Sequence, residues 1–66
     1  MEIVLNGEPT DVPDRLSVAD LIQRLSLENK RLALELNREI VPRGCYDEVT
    51  IKPGDAIEIV HAIGGG

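Results

Sequence analysis

Apolar and polar residues follow two different periods along this chain, and the switches between them mark its elements. Ile3-Val4-Leu5 is a β-rich run closed by Asn6-Gly7, the dipeptide that best tolerates the two positive φ angles of a type I′ turn, so a β-hairpin opens the fold. Its return strand runs from Glu8 to Val12, where Pro9 lacks an N–H and demotes it to an edge. Beyond the break at Pro13-Asp14 the period changes. Val18, Leu21, Ile22 and Leu25 stand at i, i+3, i+4 and i+7, which predicts one apolar helix face. Ser17 supplies its N-cap and Asp20 suits the positive helix end. The stretch Lys30–Asn37 is helical by composition, yet Leu32, Leu34 and Leu36 alternate. A helix would put Leu34 on the side away from the other two, so the reading is a strand.

A turn at Asn37-Arg38 leads into Ile40-Val41, and Pro42-Arg43-Gly44 ends that piece. Tyr46 to Ile51 reads as irregular, with a brief strand or helical turn. Lys52-Pro53-Gly54-Asp55 is a turn in which Pro pre-sets φ and Gly accepts a positive one. Ala56 to Ala62 is the last strand, with Ile57 and Ile59 facing one way and Glu58 and Val60 the other. One helix with a single apolar stripe needs a sheet to cover it, so the fold class is α+β: a mixed sheet of four to five strands with one main helix packed on one face. Residues 1–63 form the domain and 64–66 a flexible glycine tail.

The pleat sorts the side chains further. Leu21, Ile22, Leu25, Leu34, Ile57 and Ile59 are expected to be buried together. With Ile3, Leu5, Leu32 and Leu36 also turned toward the helix, Val4, Ala33, Glu35, Val60 and Ala62 fall on the open face. Val4, Ala33, Val60 and Ala62, continued by Ile63, would make an apolar patch leading to the tail. That patch is either a docking surface for partner enzymes or an ordinary half-exposed sheet.

Length and charge narrow the function. Sixty-six residues and 7.2 kDa leave little interior for a dry active site, so a carrier or adaptor is favoured over a catalyst. Twelve Asp and Glu against seven Lys and Arg give a net charge of −5, which repels phosphate backbones and argues against a nucleic-acid partner. The N-terminal run has no cationic leader, and no apolar stretch approaches the roughly 20 residues of a membrane span. These features predict a cytoplasmic protein without a membrane partner. The single Cys45 excludes an internal disulfide and a cysteine zinc cage. It reads as a small buried hydrophobe rather than a sulfur-relay thiol. His61 has no second ligand at a metal-binding spacing, so no metal site is expected, and Asp47, Glu48, Asp55 and Glu58 read as a solvated face.

The chain ends in Gly64-Gly65-Gly66 directly behind the last strand. Fully extended, three residues reach about 10 Å. A glycine end is often a frayed terminus. The functional reading is a tether that enters a narrow channel in a partner, where any Cβ would meet the walls, and presents its carboxyl carbon there. A carboxylate is a poor electrophile, so the partner must first convert it to a mixed anhydride with AMP before a thiolate or persulfide can take the acyl group.

The succession Ile3-Val4-Leu5-Asn6-Gly7, Ser17 to Ile22, Leu34 to Arg43, Gly54 to Val60 and Gly65-Gly66 resembles the ThiS family of thiamine-pathway sulfur carriers over essentially the whole chain. Most specific are Asn37 to Arg43, which is similar to that family's N-x-x-I-V-P-R segment, and the terminal diglycine. Gly64 departs from the residue more common before that diglycine. The resemblance implies a ubiquitin-like β-grasp fold and a carrier that is not itself an enzyme and binds no cofactor. It further implies that an E1-like adenylyltransferase of the ThiF type, using ATP and Mg²⁺, activates Gly66. Sulfur from a cysteine desulfurase or another donor then makes a thiocarboxylate, which a ThiG-type thiazole synthase consumes, with Gly64 and Gly65 in the channel. A molybdopterin-synthase small subunit, a TGS-like interaction module and a protein-conjugating ubiquitin-like modifier share the body or the tail and remain alternatives at this point.

Overall fold

The computed structural model describes residues 1–61. Its elements are β1 (Glu2–Leu5), β2 (Glu8–Asp11), α1 (Val18–Arg24), β3 (Leu32–Leu36), β4 (Glu39–Ile40), a 3₁₀ turn at Arg43–Cys45, and β5 (Ala56–His61). The strands form one mixed sheet in the order β2-β1-β5-β3-β4. β1 and β5 run parallel and every other pairing is antiparallel. The first and last strands of the chain therefore meet at the centre of the sheet, and Pro9 lies on the edge strand β2, where its missing N–H costs no ladder bond.

Both hairpins turn over two residues with positive φ. Asn6 and Gly7 (49° and 83°) join β1 to β2, with Leu5 opposite Glu8. Asn37 and Arg38 (51° and 71°) join β3 to β4, with Leu36 opposite Glu39. This is the type I′ geometry that matches strand twist. The Lys52–Asp55 turn closes with Asp55 N–H donating to Lys52 O at 3.1 Å, and Gly54 sits at φ 83°, the left-handed position that a type II turn reserves for glycine.

The helix starts with a reciprocal capping box. Ser17 Oγ accepts from Asp20 N–H at 3.0 Å, and Asp20 Oδ2 accepts from Ser17 N–H at 3.2 Å. It stops after two turns in a Schellman motif: Leu27 N–H donates to Ile22 O and Ser26 N–H to Gln23 O, both at 3.0 Å, with Ser26 at φ 59°. That early stop corrects one expectation. Leu25 is not in the core but stands at the C-cap, 37% exposed, because the chain leaves the helix before the fourth member of the stripe can face the sheet.

The core lies between α1 and one sheet face. Ile3, Val18, Leu34 and Ile57 are fully buried, and Leu21, Ile22 and Ile59 nearly so. Burying each such side chain contributes about 1.5–3 kcal/mol before entropy is counted. Connecting segments close the ends of this layer with Val12, Leu16, Val41 and Ile51. An isolated bridge between Ser17 and Thr50, flanked by Val18 N–H to Val49 O at 2.9 Å, ties the helix start to the segment before β5.

Candidate functional site

β5 is the last described strand and leads in sequence to the terminal glycines. It is held on one side by β1 and on the other by β3, whose register runs from Leu36 opposite Ile57 to Leu32 opposite His61. Alternation along it sends Ile57 and Ile59 into the core and leaves Ala56, Glu58 and Val60 exposed on the other face. Strand pairing then assembles that face: Val4 lies beside Ala56, Ala33 is opposite Val60, Glu35 is opposite Glu58, and Ile40 is opposite Glu35.

The structure thus places Val4, Ala33 and Val60 on one exposed face, as the pleat predicts, with Val4 36% and Val60 63% accessible. Ala62, Ile63, Gly64, Gly65 and Gly66 lie outside the described residues. The sequence pattern did not reveal one member of the patch. Ile40 is 71% exposed, the most accessible large hydrophobe described, and a two-residue turn at Asn37-Arg38 already requires it to pair with Glu35 on the open face. The apolar face is divided by a pair of carboxylates, half-buried Glu35 and exposed Glu58.

The other candidates resolve into supporting roles. Cys45 is half-buried against the core beside Tyr46. His61 is exposed at the end of β5. The Arg43 guanidinium donates to Lys30 O at 3.5 Å, and with Tyr46, Leu27 and Leu32 it lines a cleft on the helix side of the sheet. Among the described residues no group of three or more His, Cys, Asp and Glu is placed to hold a metal ion, and no helix is long and apolar enough to cross a membrane.

Each turn asparagine is a clamp on β5. Asn6 Oδ1 accepts from Ile59 N–H at 2.8 Å, and Asn37 Oδ1 accepts from Ala56 N–H at 2.9 Å. Asn37, the first residue of the most specific sequence segment, therefore acts structurally by fixing the strand that carries the tail.

The model of the ThiS family matches residues 3–66. The chain belongs to the ThiS family. The match favours ThiS over the other β-grasp families that share its body or its tail. The sulfur carrier protein ThiS of Bacillus subtilis is 43% identical over 63 residues, covering 94% of this chain and 96% of that protein. The crystal structure of a thiamine biosynthesis protein (ThiS) from Geobacter metallireducens superposes with a TM-score of 0.87 at 35% identity, over 100% of both chains. A protein named thiazole synthase in Paramagnetospirillum magneticum is 39% identical over all 66 residues, but the chain spans only 20% of that protein's length. A second thiazole synthase, from Magnetococcus marinus, shows the same proportions. A ThiS-like segment thus occurs both as a chain of this size and within a longer thiazole synthase.

Proposed function

We propose that this ThiS-family chain is a sulfur carrier of thiamine biosynthesis that works through the carboxylate of Gly66. The observation that carries the reading is the family match, which runs through the terminal glycines. The protein is a co-substrate and not a catalyst. An E1-like, ThiF-type adenylyltransferase binds ATP with Mg²⁺ and directs a Gly66 carboxylate oxygen onto the α-phosphorus. Pyrophosphate leaves, and the acyl carbon is now joined to AMP, a leaving group that the free carboxylate lacked. A persulfide or thiolate sulfur, supplied by a cysteine desulfurase or another donor, attacks that carbon and displaces AMP. With a persulfide donor the adduct is an acyl persulfide: a second cysteine-class thiolate attacks its donor-side sulfur, the S–S bond breaks, and the disulfide that forms accounts for the two electrons, leaving a thiocarboxylate on Gly66; hydrosulfide as the donor gives the same product directly. A ThiG-type thiazole synthase then takes that sulfur into the thiazole ring.

What the fold contributes is positioning. The tail continues from a strand held on both sides, so docking the body defines where the acyl carbon goes to within the reach of a few residues, and a defined geometry replaces a diffusive search. Val4, Ala33, Ile40 and Val60 give the enzymes a face to bind, and Gly64 and Gly65 let the backbone pass a narrow channel. The reading places the carrier in the cytoplasm together with these partners.

The test is the intact mass of the protein after incubation with ATP, the adenylating enzyme and a sulfur source. A gain of about 16 Da is expected, as one carboxylate oxygen gives way to sulfur through the activated acyl group. An unchanged mass, with an adenylating enzyme that loads another carrier, would refute the assignment.

A further inference from the structure

Asn6 does more than close the first hairpin. β1 and β5 pair in parallel at Val4–Ala56 and Leu5–Ile57, with Val4 N–H donating to Asp55 O at 2.9 Å and Asn6 N–H to Ile57 O at 2.8 Å. In a parallel ladder the next rung would run from Ile59 N–H to the main-chain carbonyl of Asn6. The chain turns into the hairpin there, with Asn6 at φ 49°, and the side chain takes over the rung: Asn6 Oδ1 accepts from Ile59 N–H at 2.8 Å. Among the described residues this is the last bond that reaches β5 from the β1 side. Val60 and His61 beyond it are paired only with β3, through Ala33 and Leu32, and residues 62–66 follow directly in sequence. Asn37, the other clamp, holds Ala56 at the opposite end of the strand.

We propose that Asn6 is a positioning residue for the acyl chemistry at Gly66. The inference rests on the carrier reading above and adds the side chain that aims the tail. With the rung in place, the chain leaves β5 just beyond a point held on two sides. Without it, the end of β5 is free to pivot about β3, and the range of directions open to residues 62–66 broadens. Adenylation needs the carboxylate oxygen in line with the α-phosphorus, and a misplacement of about 1 Å can cost about 100-fold in rate. Asn6 touches neither the acyl group nor ATP in this scheme, so its loss slows the docked carrier without weakening the docking of the body. The chemical requirement is narrow. The residue must accept a hydrogen bond through a short side chain while its own backbone is left-handed, a combination that Asn and Asp supply and Gly does not.

Three variants separate aiming from stability. Asn6→Gly keeps the turn conformation and removes the acceptor, whereas Asn6→Asp keeps both. Asn37→Gly removes side-chain bonds at the other end of β5 and serves as the stability control. Each is compared with wild type at a temperature where all are folded, by ATP–pyrophosphate exchange and thiocarboxylate formation with the adenylating enzyme at varied carrier concentration. Asn6→Gly should keep KM within about twofold and lose about tenfold in the rate at saturation. Its free chain should also show faster hydrogen exchange at the Ile59 amide. Asn6→Asp should recover the wild-type rate, and Asn37→Gly should melt lower but load at the wild-type rate. A wild-type saturating rate in Asn6→Gly, an equal loss in Asn37→Gly, or no recovery in Asn6→Asp would overturn the proposal and leave the carrier function standing. Unchanged exchange at Ile59 in Asn6→Gly would do the same, by showing that the rung does not hold the strand. A wild-type chain that neither supports pyrophosphate exchange nor gains mass would instead refute the carrier reading, and this role with it.

Discussion

Asn37 and Asp55 join two turns that are 18 residues apart in the chain. Asn37 Nδ2 donates to Asp55 Oδ1 at 3.1 Å, and Asp55 Oδ2 accepts from Lys52 N–H at 2.8 Å. With Asn37 Oδ1 on Ala56 N–H and Asn37 N–H on Ala56 O at 2.7 Å, the β3-β4 turn, the Lys52–Asp55 turn and the first residue of β5 become one hydrogen-bonded unit. Asn suits this place for two reasons. Its amide offers a donor and an acceptor at once, and it tolerates φ 51° better than other residues with a side chain.

Substitution separates those two reasons. Asn37→Gly keeps the backbone conformation and loses only the side-chain bonds, at about 0.5–1.5 kcal/mol each. Asn37→Ala loses the bonds and adds a left-handed penalty of about 1–2 kcal/mol. Urea unfolding should rank wild type above Asn37→Gly above Asn37→Ala. Equal stability of the two variants would show that the turn conformation carries no strain.

Leu21 and Leu25 make a second contrast, because they stand one helical turn apart, with Leu25 N–H donating to Leu21 O at 3.1 Å, yet only Leu21 reaches the core. Leu21 is 1% exposed and Leu25 37%. Leu21→Ala should cost about 2–5 kcal/mol through the cavity it leaves. Leu25→Ala, at a half-open C-cap, should cost less than about 1 kcal/mol. Comparable losses in denaturant titrations would contradict the helix end described above.

This pair also shows what the sequence made legible and what it hid. Alternation identified β3 even though its composition suits a helix, because Leu34 could be buried with Leu32 and Leu36 only on a strand. The Ser17 cap and both hairpin turns were readable from local chemistry. The end of α1 was not, since its Schellman motif is built on Ser26 in place of the usual Gly and leaves no stop signal. Val12, Leu16, Val41 and Ile51 belong to the core but sit in connecting segments without a period, so only tertiary packing reveals them. At the candidate site the exposed face followed from the pleat. The opposition of Glu35 and Glu58 required the register of β3 against β5, which no single-strand pattern contains.

The first residue supplies a pH dependence. The Met1 ammonium donates to Val12 O at 2.6 Å and pairs with Asp14 at 3.1 Å and Asp11 at 3.7 Å. Its pKa is raised above the ordinary value of 8.0, chiefly by the hydrogen bond to Asp14, with desolvation opposing. The folded state therefore holds this proton more tightly than the unfolded state does. Its stabilisation is complete below the ordinary pKa of 8.0 and is lost as pH rises through the folded value. Urea midpoints should fall from pH 7.5 upward more in the wild type than in Asp14→Asn. Parallel pH profiles for the two proteins would show that the contact contributes nothing.

Val60 tests the docking face without touching the core. It is 63% exposed beside Ala33, so Val60→Glu should shift the thermal midpoint by no more than a few degrees. The new carboxylate lands next to Glu58 and Glu35 in a face that partners must desolvate, and affinity for the adenylating enzyme should drop about tenfold or more. Wild-type affinity in a titration would reduce the patch to ordinary surface.

The last prediction concerns the tail, where three variants separate reach, charge and sterics. Deleting Gly65-Gly66 removes no core residue, so the fold should survive. Thiocarboxylate formation should vanish, because the shortened chain cannot bring its carbonyl to the bound ATP even when the body docks normally. Adding one residue after Gly66 should be nearly as damaging, since the Gly66 carboxylate becomes an amide and the new carboxylate stands one residue too far. Gly65→Val keeps the carboxylate and the length but carries a β-branched side chain through a passage proposed to fit bare backbone. It should slow adenylation, read as ATP–pyrophosphate exchange, while binding of the body persists. Sulfur loading of the truncated chain with ATP would show that Gly66 is not the acyl carrier, and the apolar sheet face alone would then have to account for the function.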